Sequence, residues 1–237
     1  MTYIYRKICK LTWGGFLGCV LAIGSVTAED KIRVGQTDSI EFDKLYEAIL
    51  TEAGINFEMV VVPTARKRRM FADGKILIDC CTAIEWRKRP KEIAVQLHSK
   101  PFFHSAEHYF FKTGSNVEIA SHQDLKQYRL AIVRGFTYRN EESFGAVLKT
   151  TNIDEMMILV ALGRAHVGLI NPYDFNRRLA SNPRPLRLGG QHEASPLRIR
   201  VHNSRADLLP RINAVIETFL SDGTIEKLQG RLDTLRP

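Results

Sequence analysis

The chain, 237 residues long, lacks the short signatures that carry most enzyme assignments. It has no glycine-rich phosphate loop, no His-Glu-x-x-His zinc motif and no Ser-His-Asp set, which leaves nucleotide hydrolysis, zinc hydrolysis and triad chemistry without a footing. Cysteine is scarce at four residues, and two of them, Cys9 and Cys19, lie close to the start. The remaining pair, Cys80-Cys81, has no His or Cys at ligand spacing, so no metal site is expected. Neighbours in a strand point to opposite faces, so two small buried residues are expected there rather than a disulfide. The longest apolar run, Leu11 to Ile23, falls short of the ~20 residues a membrane span needs.

A dominant charge of one sign is missing too. The net charge is +8, but residues 1–28 hold three bases (Arg6, Lys7, Lys10) and no acid, and without them it falls to +5. The other bases are scattered, with no stripe of interleaved aromatics, so nucleic acid is not an expected partner. Apolar residues make up 44% and charged residues 25%, which supports real cores in an ordinary soluble chain.

What is present begins with an address. Basic residues, the apolar run and then Val26-Thr27-Ala28 ahead of Glu29 match a cleavable secretory signal over residues 1–28, and periplasmic export is the expectation. A lipoprotein signal ending at Cys19 is the lesser alternative, because Phe16 stands where Leu is usual.

From Lys31 onward strands and helices alternate, which predicts a largely parallel α/β architecture with ligand sites at the carboxyl ends of the strands. Lys31 to Gly35 and Phe57 to Val62 read as strands, and Phe42, Leu45, Tyr46, Ile49, Leu50 and Ala53 recur at helical spacing. Asp38, Arg66 and Thr82 fall at strand ends. Thr64 to Phe71 is a basic helical turn, from which Arg66 is the base expected to face a cleft while the others are solvated. Ile76 to Thr82 reads as a buried strand leading into Glu85-Trp86-Arg87-Lys88-Arg89-Pro90, a cationic wall suited to a carboxylate or another anion. Further on, a strand over Arg129 to Val133 precedes Gly135 and Thr137 and a helix predicted from about Tyr138 to Leu148, whose start offers an anion seat. Asn152 with Glu155 resembles a capping box, and Asn171-Pro172-Tyr173 ends a strand over Val167 to Ile170.

In chain order, the segments Arg89 to Ala94 with Ser99 to Phe102, Asp124-Leu125-Lys126 with Val133 to Thr137, Leu162 to Val167, and Asp222 to Lys227 resemble motifs of the bacterial family 3 extracellular solute-binding proteins. The resemblance implies a two-lobed type 2 periplasmic-binding-protein-like fold, with a hinge and an interlobe cleft, and lobes at 29–110 plus 200–237 and at 113–196. It implies capture of a small carboxylate or amino-acid-like ligand by a monomer, without cofactor or catalysis, for delivery to the membrane permease of an ABC importer. A sensory partner in the membrane, or a dehydratase-like enzyme on the same fold, are the alternatives. Carried over residue by residue, Arg89 holds the ligand carboxylate, with Arg87 as rival because the spacing from Thr82 is about two residues short. Thr137 meets the same carboxylate from the second lobe. Asn171 stands where these receptors place an aspartate for the ligand ammonium, which leaves that charge to another acid such as Asp38 or Glu85.

Overall fold

The computed structural model describes residues 31–233; the expected signal segment and Cys19 lie outside the described residues. Nine strands order as β2-β1-β3-β9-β5-β8-β6-β7, with β4 also on β9. In the first half, β1 (Ile32–Gly35) pairs in parallel with β2 (Phe57–Val60) and β3 (Ile78–Thr82). In the second, β6 (Leu130–Val133) pairs in parallel with β7 (Val147–Thr150) and β8 (Val167–Ile170). Two long antiparallel strands, β5 (Phe103–Lys112) and β9 (Leu186–His202), run between the halves, and short β4 (Gln96–His98) joins the far end of β9.

The helices follow from apolar spacing. In α1 (Ile40–Glu52) the stripe Leu45, Tyr46, Ile49 and Leu50 is fully buried against Val34, Ile78, Ile199 and Val201. Each such side chain contributes roughly 1.5–3 kcal/mol of burial. Helices α6 (Leu209–Ser221) and α7 (Thr224–Asp233) close the same core through Ile212, Ile216 and Ile225. In the second half, Met156, Met157 and Val160 of α4 (Ile153–Ala161) pack on Phe110, Val133 and Phe175. The Asn152 side chain accepts from the Glu155 N–H at 2.9 Å, so this helix starts where its cap signal stands.

The helix expected over Tyr138 to Leu148 is absent. Asn140 turns left-handed (φ 56°), a single 3-10 turn covers Glu141–Ser143, and Val147–Thr150 pairs with β6. The Tyr138 N–H is already held by the Glu141 carboxylate at 2.7 Å, and β-branched Val147 and Thr150 favour the sheet. A helix absent from the reading, α5 (Pro172–Ser181), follows β8 instead.

A buried ion cluster joins α2 (Thr64–Ala72), β3, α3 (Pro90–Ile93) and β9. Arg200 is fully buried, reaches Asp79 and Glu92, and lies over the Phe71 ring at 4.1 Å. Arg68 Nε donates to both Glu92 carboxylate oxygens, at 3.0 and 3.2 Å, and Lys67 Nζ stands 3.3 Å from Asp79. Burial raises both carboxyls, but the surrounding cations outweigh it and hold both below the usual range. Stability gained from a depressed carboxylate is present above its unfolded pKa near 4 and lost as pH falls below it. Arg200→Met should therefore cost about 3–5 kcal/mol at pH 7 in urea unfolding, with the gap to the parent narrowing between pH 5 and pH 2. A gap that stays constant with pH would show that the two carboxylates do not depend on Arg200.

Candidate functional site

The two halves face each other across a cavity crossed by β5 and β9. It holds about 90 Å³ reachable by the centre of a water molecule, several times what one water requires, so it suits a small solute. From the first half it is lined by Thr37, Asp38, Phe42, Lys67, Cys80, Cys81, Trp86 and Arg87. The second half supplies Phe136, Thr137, Tyr138, Asn171 and Asp174, and the crossing strands supply Ser105, Glu107 and Glu193. The halves also touch beside it. Arg68 Nη1 donates to the Gly135 carbonyl at 2.8 Å and to Thr137 Oγ1 at 3.1 Å, and Arg178 Nη2 donates to the Asp38 carbonyl at 3.0 Å. Gly135 has φ +99°, and a Cβ there would stand 2.6 Å from the Ala65 backbone nitrogen, so only glycine permits this approach.

Arg87 is the notable side chain of the first half. It follows the 3-10 turn Ile84–Trp86 and is 7% exposed. Its hydrogen bonding within the described residues amounts to one long contact, Nη1 to the Trp86 carbonyl at 3.4 Å, and Nε has no partner. Burial, then Arg200 and Arg68, lower its pKa to about 9, which still leaves it charged at pH 7. Lys67 lies in the same wall and donates to the Gln36 carbonyl at 2.7 Å. Counted together, Lys67, Arg68, Arg87 and Arg200 face Asp79 and Glu92, so positive charge is in excess where the cluster meets the cavity. Burial, reinforced by Arg200, Arg198 and Arg87, keeps nearby His98 neutral, with its pKa lowered to about 4.

The other expected residues divide. Asp38, Arg87, Thr137 and Asn171 line the cavity, whereas Arg89, Arg66 and Thr82 do not. Arg89 is exposed at the N-cap of α3 and borders a separate outer depression with Lys88 and Arg134. Arg66 is exposed because the inward stripe of α2 is Thr64, Lys67, Arg68 and Phe71, so two of the bases expected to be solvated, Lys67 and Arg68, are turned in, while Arg69 is exposed as expected. Thr82 is fully buried, its hydroxyl donating to the Ala83 carbonyl. Asp38 accepts from the Thr64 hydroxyl. Asn171 caps α5, accepting from the Asp174 N–H at 2.9 Å and donating from Nδ2 to its carboxylate at 2.7 Å. An acid thus does reach the cavity from this helix, three residues beyond the expected position. The pattern Asn-Pro-x-Asp, with proline first in the helix, is the signal that would have found it.

Cys80 and Cys81 are joined by a disulfide, against the expectation of two separate buried thiols. That expectation took both residues as successive positions of a regular trans strand, whereas the peptide between them is cis. The bonded pair forms part of the cavity wall, near Phe42 and Trp86.

No family model and no curated protein matches this chain. Solved structures do. An ancestral arginine-binding protein bound to arginine superposes with a TM-score of 0.72 at 21% identity, covering 86% of this chain and 98% of its own. This chain has the two-lobed type 2 periplasmic-binding fold. The same fold is seen in the arginine-, lysine-, histidine-binding protein ArtJ from Geobacillus stearothermophilus (TM-score 0.70, 14% identity, 87% of this chain and 96% of that one). It recurs in a histidine kinase sensor domain with similarity to periplasmic binding proteins (TM-score 0.71, 15% identity, 88% and 98%). In these terms β5 and β9 are the segments that cross between the lobes of the periplasmic-binding fold, and the cavity lies between the lobes.

The disulfide can be checked in the chain from Glu29 onward. Denaturation without reductant should leave both cysteines unreactive to iodoacetamide, and reduction should make both reactive. Two alkylated cysteines without reductant would show that the pair is open.

Proposed function

We propose that this chain is a periplasmic solute-binding protein that captures a small carboxylate-bearing, amino-acid-like solute between its lobes for delivery to an ABC importer. The reading takes lobe 1 as residues 29–110 plus 200–237 and lobe 2 as 113–196, follows an export signal at 1–28, and treats the protein as a monomer without catalytic activity. One observation carries it. Arg87 is a buried guanidinium without a carboxylate partner, at the edge of a cluster already rich in positive charge, and it faces a cavity of solute size. A buried charge left unpaired is costly, and an anion supplied from outside the chain is what compensates it. The solved structures of this fold, with arginine in one case and an arginine-, lysine- and histidine-binding protein in another, support an amino-acid-like solute.

In this mechanism Arg87, with Lys67 beside it, holds the solute carboxylate on lobe 1. Thr137 meets it from lobe 2, and the contacts of Arg68 with Gly135 and Thr137 hold the lobes together over it. A solute that binds the closed form better than the open one stabilises closure by its differential affinity. Sensing is the second reading, favoured by the kinase sensor domain of the same fold. Permease and ATPase genes beside this one favour import, and a lone sensor gene favours signalling.

The test is thermal unfolding of residues 29–237 with amino acids, dicarboxylates and other small anions. At a hundredfold excess over Kd a bound solute adds about 2.7 kcal/mol, which for a chain of this size raises Tm by about 5–10 °C. Arg87→Met should abolish the shift and Arg89→Met should keep it. The reverse pattern would move the anchor to Arg89, and no shift with any solute would remove the binding reading.

A further inference from the structure

The cavity has a second pole that a carboxylate anchor leaves unused. Strands β5 and β9 pair with Glu107 directly opposite Glu193, and both side chains line the cavity. Like charges directly opposite each other on paired strands destabilise the pair. Asp174 of α5 adds a third carboxylate from lobe 2. Two of the three have cations on their outer side: Arg139 Nε lies 3.4 Å from Glu193, and Arg177 Nη2 lies 3.4 Å from Asp174. Glu107 has neither a hydrogen bond nor an ion pair among the described residues. Facing it are Glu193 from β9, Asp174 from α5 and Tyr138 from the loop after β6, while Glu85 of the 3-10 turn acts on Glu193.

A separate observation marks this pole as a place where something binds. Ser105 is more than nine-tenths buried and lines the cavity, and its Oγ has no hydrogen-bond partner among the described residues. Ser105 stands two residues before Glu107, on the same face of β5. Buried hydroxyls of folded proteins find partners in all but a few cases, so an orphan hydroxyl beside an unpaired carboxylate calls for a ligand that bonds to oxygen. Among the described residues no three acidic, histidine or cysteine side chains are grouped so as to hold a metal ion. An organic ammonium or guanidinium group fits this set of oxygens.

We propose that Glu107, Glu193 and Asp174 form a cation subsite that takes the ammonium or guanidinium end of a solute whose carboxylate rests on Arg87. This deepens the solute-binding reading and rests on it. Burial, then Glu193 and Asp174, push the Glu107 carboxyl up to about 8, so before binding it carries a proton at pH 7. The incoming cation favours the carboxylate; the proton passes to solvent, and charge at this pole is balanced by the solute. Binding therefore releases up to one proton and tightens as pH rises towards 8.

The experiment is titration calorimetry of residues 29–237 with L-arginine, L-glutamine and succinate, in buffers of different ionisation enthalpy between pH 6 and pH 7.5. At least one of the two amino acids should bind more tightly than succinate, with up to one proton released and about tenfold higher affinity per pH unit. Glu107→Gln should remove both the proton release and the pH dependence. Without solute, that variant should melt no lower than the parent at pH 8.5, because it removes one of two opposed charges. Succinate binding without either amino acid, or amino-acid binding that is independent of pH, overturns the subsite and leaves the solute-binding reading standing. A lower unliganded Tm for Glu107→Gln at pH 8.5 overturns the subsite as well. Failure of all three solutes to bind counts against both.

Discussion

The structure depends on a buried cluster of charges that the chain does not balance by itself. Arg200, fully buried, holds Asp79 of β3 and Glu92 of α3 together, and Arg68 closes the other side of Glu92. This arrangement fixes how α2, α3, β3 and β9 meet. It also sets the electrostatics of the cavity, since Lys67 and Arg87 are drawn into the same low-dielectric region without a matching number of carboxylates. Charges interact more strongly there than in water, so the surplus is felt where Arg87 faces the opening between the lobes.

The crossing strands supply the opposite polarity. The register that lets β5 and β9 span both lobes also sets Glu107 against Glu193, and capping of α5 by Asn171 brings Asp174 alongside. One wall of the cavity is thus cationic and its floor is lined by carboxyl groups, with Phe42, Trp86, Phe136 and Tyr138 among the residues between them. On the proposed reading, such a polarised, small, partly aromatic cavity would favour a dipolar solute over a simple anion. The same reading couples recognition to closure, because the two poles are assembled from both lobes.

Much of the architecture was legible because it follows from local pattern. Alternating strands and helices, the stripe Leu45-Tyr46-Ile49-Leu50 and the cap at Asn152 all act through neighbours in sequence. The helix expected after Thr137 failed for a local reason too, since Glu141 held the Tyr138 N–H in a turn. The site was less legible. Arg87, Asp38, Thr137 and Asn171 line the cavity as expected of them, but Arg66 and Arg89 are exposed, and Glu193 and Asp174 reach the cavity through strand register and helix capping. Which base of a Lys-Arg-Arg turn faces inward depends on the helix phase set by Phe71, which charge density alone does not reveal.

The sequence by itself determined that this is an α/β chain with a cationic segment after its third strand, because periodicity and composition act over a few residues. Only the tertiary structure decided which guanidinium is buried, that Cys80 and Cys81 are bonded, and that two glutamates far apart in the chain stand opposite each other. Those outcomes depend on strand register and on the packing of one lobe against the other, where residues separated by most of the chain share one dielectric environment.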